Sequence, residues 1–192
     1  MSQRLIYVVG PSGAGKDSLL SWLRQHTPAA AAVHWTRRTI DRPNSERPDA
    51  EDHTSVDAGG FDQLLAEGQF AMHWQANAHR YGIRTSELEA LKDPNMCVLV
   101  NGSRAHLPVA ALAYPNLTVL HITAEAQVLR QRLMARGRES EAAVEARMGR
   151  PSALELPLGC RLIEIHNNTS LDAAGAQLLA QLRGFGLWPI SA

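Results

Sequence analysis

Short apolar runs alternate along this chain with longer stretches of helical period. Leu5-Ile6-Tyr7-Val8-Val9 and Met96-Cys97-Val98-Leu99-Val100 are continuous apolar runs. Runs of that length without polar alternation fit strands buried on both faces. Further strand-like segments lie at 33–35, 70–74, 117–123 and 161–166. Helical patterns are read at 16–26, 61–67, 86–92, 104–113, 125–136, 140–149 and 170–183. Ser86 and Glu89 predict a capping box ahead of Leu88 and Leu91. Leu171, Leu178, Leu179 and Leu182 predict the buried stripe of the last helix. Strand alternating with helix predicts an α/β fold with a mainly parallel sheet and helices on both faces, a three-layer α/β/α sandwich.

Two segments break the pattern. Residues 36–60 are polar, contain Pro43, Pro48 and Gly59-Gly60, and hold no sustained period. They read as ordered loop in a substrate-binding lobe or as a flexible arm. Residues 137–158 are rich in arginine and glutamate and then in proline, which suggests a movable helical flap.

Composition narrows the class. The chain has 192 residues, 45% hydrophobic and 20% charged, enough for one domain with a proper core. Its formal net charge is zero, so no global field draws it to nucleic acid or to a membrane surface. Cys97 and Cys160 make no disulfide framework and point to a reducing compartment. The first apolar run is too short for a signal peptide or a membrane span. A cytoplasmic protein is expected. The histidines lack metal-ligand spacing, and Trp22, Trp35 and Trp188 read as packing residues. Trp74 fits either a pocket wall or the core.

The first strand runs into Gly10-Pro11-Ser12-Gly13-Ala14-Gly15-Lys16-Asp17-Ser18. Gly10, Gly15 and Lys16 match the phosphate-binding loop, in the strand-to-helix context that the motif needs. Such a loop turns several backbone N–H groups toward phosphate, and the helix start adds its positive end. The next position normally carries a hydroxyl that binds Mg²⁺; here it is Asp17. Ser18 is no replacement, because one residue turns a helix by about 100°. Beside a triphosphate a bare carboxylate is repelled, at about 4 kcal/mol for unit charges 4 Å apart at an effective dielectric near 20. A Mg²⁺ between the two anions reverses that balance, and Mg²⁺ prefers carboxylate oxygens. Asp17 therefore reads as a metal ligand, direct or through water; an acid that only complements the helix dipole is the alternative. The strand that usually ends in a metal-orienting Asp here ends in Asn101, so Asp17 can provide the missing carboxylate.

Arginines cluster after residue 125. Arg132 and Arg136 are spaced i,i+4, and Arg147 follows on the next helical stretch. Like charges at that spacing need an offset, and a triphosphate clamped by a closing flap provides one. Arg130, Arg138 and Arg150 fit a solvated surface equally well, balanced by Glu125, Glu139, Glu141 and Glu145.

GPSGAGKDS, Arg42-Pro43, Glu51-Asp52-His53, Trp74, Tyr81-Gly82 and Val100-Asn101-Gly102-Ser103-Arg104-Ala105, in that order, resemble the guanylate-kinase-like phosphate-loop kinases over nearly the whole chain. Within them the combination is most similar to the ribose 1,5-bisphosphate phosphokinases. The resemblance implies a P-loop kinase core (1–32, 92–125 and 155–192), a small substrate lobe (33–91) and a helical lid (126–154). It implies ATP and Mg²⁺ as cofactors, with phosphoryl transfer to ribose 1,5-bisphosphate, giving 5-phosphoribosyl 1-diphosphate in phosphonate breakdown. Carried over by position, Lys16, Asp17, Arg132, Arg136 and Arg147 serve catalysis. Residues 10–18, with Asn168 or its neighbour Asn167, hold the nucleotide. Arg42, Glu51, His53, Tyr81, Asn101 and Arg104 hold a phosphorylated sugar, with Arg47 or Arg84 as further cations. The resemblance leaves monomer or homodimer open.

Counting from Phe70, the acid by which a guanylate kinase reads its base falls on Met72, which accepts no guanine N–H. Two features depart from the family. Asp41 replaces the usual Thr before Arg-Pro, and 44–50 is longer and lacks the expected glycines. A nucleoside monophosphate kinase and a non-catalytic interaction module are the competing readings; the second is expected to have lost the phosphate loop, which this chain keeps.

Overall fold

The computed structural model describes residues 4–42, 53–76, 78–135, 141–148 and 154–188. Five strands form one all-parallel sheet: β1 (Leu5–Val9), β2 (Val33–Trp35), β7 (Cys97–Asn101), β8 (Thr118–Thr123) and β9 (Arg161–His166), in the order β2-β7-β1-β8-β9. The apolar runs read from the sequence are these strands. β1 is buried at every position because both of its faces are covered.

Its side chains divide the core in two. Ile6 and Val8 join Leu19 and Leu23 of α1 (Lys16–Gln25) and Leu178 and Leu182 of α6 (Leu171–Gly184). Leu5, Tyr7 and Val9 join Leu107, Ala110 and Ala111 of α3 (Leu107–Ala113) on the opposite face. This is the expected three-layer sandwich. Each fully buried aliphatic side chain contributes about 1.5–3 kcal/mol, so these two apolar layers dominate the stability. Ser170 caps α6 by accepting from Ala173 N at 3.2 Å. The stripe on α6 differs from the predicted one. Ala174, Leu178 and Leu182 face inward, while Leu171 at the first helical position is 41% exposed and Leu179 is only partly buried.

A second, four-stranded sheet runs β4-β3-β6-β5. It comprises β3 (Arg38–Asp41), β4 (His53–Val56), β5 (Phe70–Ala76) and β6 (His79–Arg84), with α2 (Ala58–Ala66) between β4 and β5. β3 and β4 are parallel; the other pairs are antiparallel. Met72 and Ile83 from this sheet, with Leu88, complete the second core layer, so the sheet is packed onto the sandwich. Three corrections to the sequence reading follow. The stretch 36–60 contains two strands and the start of α2, not loop alone. Val33–Trp35, assigned to the substrate lobe, is the edge strand of the main sheet beside β7. The Ser86/Glu89 capping box does not form: Thr85–Lys92 is a 3-10 helix whose N-cap is Arg84, without a side-chain cap. Its first N–H is satisfied by Gln69 O at 2.9 Å, so strand pairing starts this helix.

Two helices lie over the main sheet's phosphate-loop end, α4 (Ala126–Ala135) and α5 (Glu141–Met148). Trp22, Trp35 and Trp188 are packing residues, Trp35 and Trp188 meeting edge to face at 5.7 Å. Cys97 and Cys160 are free thiols, and burial pushes the Cys97 thiol up to about 12. Among the described residues no helix is long and apolar enough to cross a membrane.

Candidate active site

Ligands of open parallel sheets bind beyond the carboxyl ends of the strands. Here three such ends meet. The register pairs Val8 with Asn101 and Val9 with His121, so the loops after β1, β7 and β8 leave the sheet side by side. A cavity of about 890 Å³ opens above them. One side is the phosphate loop (Gly10, Pro11, Ser12, Lys16), and another is the loop after β7 (Gly102, Ser103, Arg104, Ala105). The second sheet adds Arg38, Trp74 and Tyr81, and the two covering helices add Leu129, Leu133 and Met148.

The phosphate loop is held from both sides. The Lys16 ammonium donates to Gly10 O at 2.9 Å and Pro11 O at 3.3 Å. The buried Asn167 donates through Nδ2 to Ala14 O at 2.8 Å. Gly15, in the left-handed region at φ 84°, caps α1 without a side-chain bond. A Cβ there would stand 2.4 Å from Asn167 Nδ2, so only glycine fits. The same point is 3.8 Å from Arg132 Nη1, which is buried and has no hydrogen-bond partner among the described residues. A buried guanidinium nitrogen without a partner over a phosphate loop has the chemistry of an anion ligand.

Arg130, two residues before Arg132 and so about 200° around α4, is engaged elsewhere. It binds Glu145 at 2.5 Å and Glu141 at 2.6 Å, tying α4 to α5 on the exposed side. The sequence left Arg130 open between clamp and solvated surface; its pairing with Glu141 and Glu145, two of the acids expected to balance it, favours the surface.

The Asn101 side-chain amide donates to Asp17 Oδ1 at 2.9 Å. Asn101, expected as a sugar ligand, turns its amide to Asp17 and is followed by Gly102 and Ser103, which line the cavity. Among the described residues no group of three or more His, Cys, Asp and Glu side chains could hold a metal alone. A Mg²⁺ shared with phosphates needs only one or two carboxylates, and the oriented Asp17 carboxylate at the start of α1 fits that use.

Beyond the loop after β7 the cavity wall is aromatic. Trp74 and Tyr81 stack at 5.7 Å with an 8° interplanar angle, and His106 leans on Trp74 at 5.3 Å. Trp74 serves as both pocket wall and core neighbour, as the sequence allowed. Tyr7 OH accepts from Ser103 N at 3.2 Å and meets His106 Nδ1 at 3.1 Å, which fixes the loop from below. A Cβ at Gly102 would stand 2.1 Å from Tyr7 Cζ, so glycine is required where the loop crosses the ring. Burial pushes the Tyr7 phenol up to about 12 and lowers the pKa of His106, with His73 adding to the latter. Burial also lowers the pKa of Arg104.

Of the expected sugar ligands, Tyr81 and Arg104 line the cavity. Arg42 and His53 do not; they meet each other at 3.1 Å where β3 ends and β4 begins. Arg84 turns to Thr39 Oγ1 at 3.4 Å. Glu51, Arg47 and Arg136 lie outside the described residues, as does the Arg147 side chain. Ser18 is exposed and Gly13 and Ala14 are buried; none of the three lines the cavity. Asn168 bonds to Glu125 at the start of α4, while its neighbour Asn167 reaches the loop. Met72 is buried in the core, and Trp74, two residues further along β5, lines the cavity. The sequence reading missed Arg38, whose guanidinium lies over the Tyr81 ring at 5.1 Å.

Comparison with known proteins agrees with this arrangement. No protein-family model matches the chain. It is 44% identical over 185 residues to the ribose 1,5-bisphosphate phosphokinase PhnN of Azotobacter vinelandii, covering 95% of this chain and 97% of that one. To the proteins of the same name from Pseudomonas paraeruginosa and Burkholderia pseudomallei it is 42% identical over 184 residues and 40% identical over 185, covering 96% and 95% of this chain and 97% of each relative. Among solved structures, the guanylate kinase of Anaplasma phagocytophilum superposes with a TM-score of 0.63 at 14% identity, covering 94% of this chain and 84% of that one. At that identity the likeness concerns the fold alone. Sequence identity at this level over almost the full length of both chains places this chain in the ribose 1,5-bisphosphate phosphokinase family.

Proposed function

We propose that the chain transfers the γ-phosphoryl group of ATP to ribose 1,5-bisphosphate, giving 5-phosphoribosyl 1-diphosphate and ADP, in the cytoplasm and as part of phosphonate breakdown. The observation that carries this reading is the cavity itself. It joins a phosphate loop to an aromatic wall, and among the described residues its lining holds three cations, Lys16, Arg38 and Arg104, against one carboxylate, Glu155. Such a lining suits a small, doubly phosphorylated acceptor. The relatives' shared name supports the same choice.

The geometry supports a division of labour. Backbone N–H groups of residues 10–16 and the Lys16 ammonium bind the nucleotide's phosphates, which are stronger acceptors than the loop carbonyls. Asp17, oriented by Asn101, would hold a Mg²⁺ ion, which would supply positive charge against those phosphates. Arg132 places positive charge beside the transferred group. Arg136 and Arg147 are proposed to join it from the lid. In the transfer the bond from the γ-phosphorus to the bridging oxygen breaks and a bond to an oxygen of the acceptor's C1 phosphate forms. That oxygen is already anionic, so no general base is required. The site reads a small phosphorylated sugar and calls for neither nucleic acid nor membrane.

Steady-state assays with ribose 1,5-bisphosphate, GMP and AMP as competing acceptors test the proposal. Preference for the bisphosphate is expected. Preference for GMP would establish a nucleoside monophosphate kinase, and failure to bind ATP by calorimetry would favour a non-catalytic module.

A further inference from the structure

The sequence reading assigned no role to Arg38, yet it occupies a distinctive place in the cavity. Lys16 and Arg104 are carried by the loops after β1 and β7, where the transferred group must lie. Arg38 comes instead from β3 in the second sheet, where it pairs with Ile83 and His53. Its guanidinium is seated over Tyr81, which stacks on Trp74, which in turn leans on His106. The positive charge of Arg38 also opposes the burial-driven rise at the Tyr7 phenol, so the guanidinium is within electrostatic reach of the Tyr7–Ser103–His106 contact.

We propose that Arg38 determines acceptor specificity by binding the acceptor's second phosphate, the one that is not phosphorylated, with the Trp74–Tyr81 wall flanking the sugar. The assignment rests on the proposed function above. Aromatic faces cover the C–H surface of a sugar but offer no acceptor to the N–H edge of a base. Among the described residues the one carboxylate in the cavity lining, Glu155, lies in the segment before β9 and not on the second sheet. This end of the cavity is therefore matched to an anion. A guanidinium meets a phosphate through two parallel N–H bonds, and its seat on Tyr81 lowers the cost of ordering it. A lysine would present the charge without the fork.

The test compares ribose 1,5-bisphosphate with ribose 1-phosphate, which lacks the second phosphate, in wild type, Arg38→Met and Arg38→Lys. Wild type is expected to favour the bisphosphate by about 100-fold in kcat/KM, the scale of a charge-assisted bidentate contact. Arg38→Met should reduce that ratio to about threefold or less, through the bisphosphate alone and mainly in KM, with KM for ATP unchanged. Arg38→Lys should retain an intermediate ratio. If Arg38→Met keeps the wild-type ratio, whatever its absolute rate, the assignment is overturned while the proposed function stands. If wild type phosphorylates neither sugar, the proposed function fails and the assignment fails with it. Should Arg38→Met not fold, Arg38→Lys decides: a ratio several-fold below wild type supports the assignment, and an unchanged ratio overturns it.

Discussion

Asn101, the last residue of β7, donates its side-chain amide to the Asp17 carboxylate across 2.9 Å. The contact joins two departures from the usual phosphate-loop pattern, an acid where a hydroxyl is expected and an amide where an acid is expected. Each explains the other. Two carboxylates at that distance would repel, and one would take up a proton. With an amide on β7, the strand instead donates a hydrogen bond that points the Asp17 carboxylate one way.

Asn101 thus acts through Asp17. Asn101→Ala should raise the Mg²⁺ concentration needed for half-maximal rate by about tenfold, the scale of one hydrogen bond to a charged group. KM for the acceptor should change little. Titration of Mn²⁺ in the presence of a non-hydrolysable ATP analogue reads the same loss without turnover. A large rise in acceptor KM with unchanged metal affinity would return Asn101 to the sugar-binding role that its sequence position first suggested.

Asp17 itself has a sharper expectation. Asp17→Asn keeps size and helix position but removes the charge. It should lower Mg²⁺-dependent kcat by about 100-fold or more, the scale of losing a transition-state charge partner. Thermal melts should show a folded protein. Turnover unchanged in both Asp17→Asn and Asp17→Ser would reduce the acid to a partner of the helix dipole.

The two lid arginines separate by position. Arg132 has a buried, unbonded nitrogen over the phosphate loop, whereas Arg130 is engaged with Glu141 and Glu145. Arg132→Met is expected to lower kcat by about 10²-fold. Arg130→Met should stay within about threefold, because exposed ion pairs contribute little. Equal effects in steady-state assays would argue against the separation.

Two buried histidines make stability depend on pH. His121, bonded to Glu164 at 2.9 Å, and His106 both have pKa values lowered by burial from the ordinary 6.5. The unfolded chain then binds more protons than the folded one as pH falls below 6.5. The contribution of both groups is present above that pH and is lost as pH falls toward their folded values. Urea unfolding at pH 7.5 and 5.5 should show lower stability at the acid end, and His121→Asn should shrink the difference. A pH-independent midpoint in the wild type would contradict this.

The legible part of the sequence was the part governed by burial. β1 and the first four residues of β7 are continuous apolar runs because helices cover both faces, and Gly15 and Lys16 announce a loop whose geometry is local. The second sheet was harder to see for a reason tied to the site. Arg38-Thr39-Ile40-Asp41 and His53-Thr54-Ser55-Val56 have polar side chains along much of their length, so they read as loop. Arg38 was hidden by the polarity that fits it to a ligand. The contact between Asn101 and Asp17 was not legible, because chain order does not reveal that Val8 and Asn101 are in register, which sets the strand end beside α1.

Phosphorus NMR of a mixture of the protein, ATP, Mg²⁺ and ribose 1,5-bisphosphate tests the central assignment most directly. Coupled resonances of a new diphosphate on the sugar's C1 oxygen, growing as ADP appears and absent with Asp17→Asn, are the predicted result. An unchanged bisphosphate spectrum while ATP is hydrolysed, or while added GMP is converted to GDP, would contradict it.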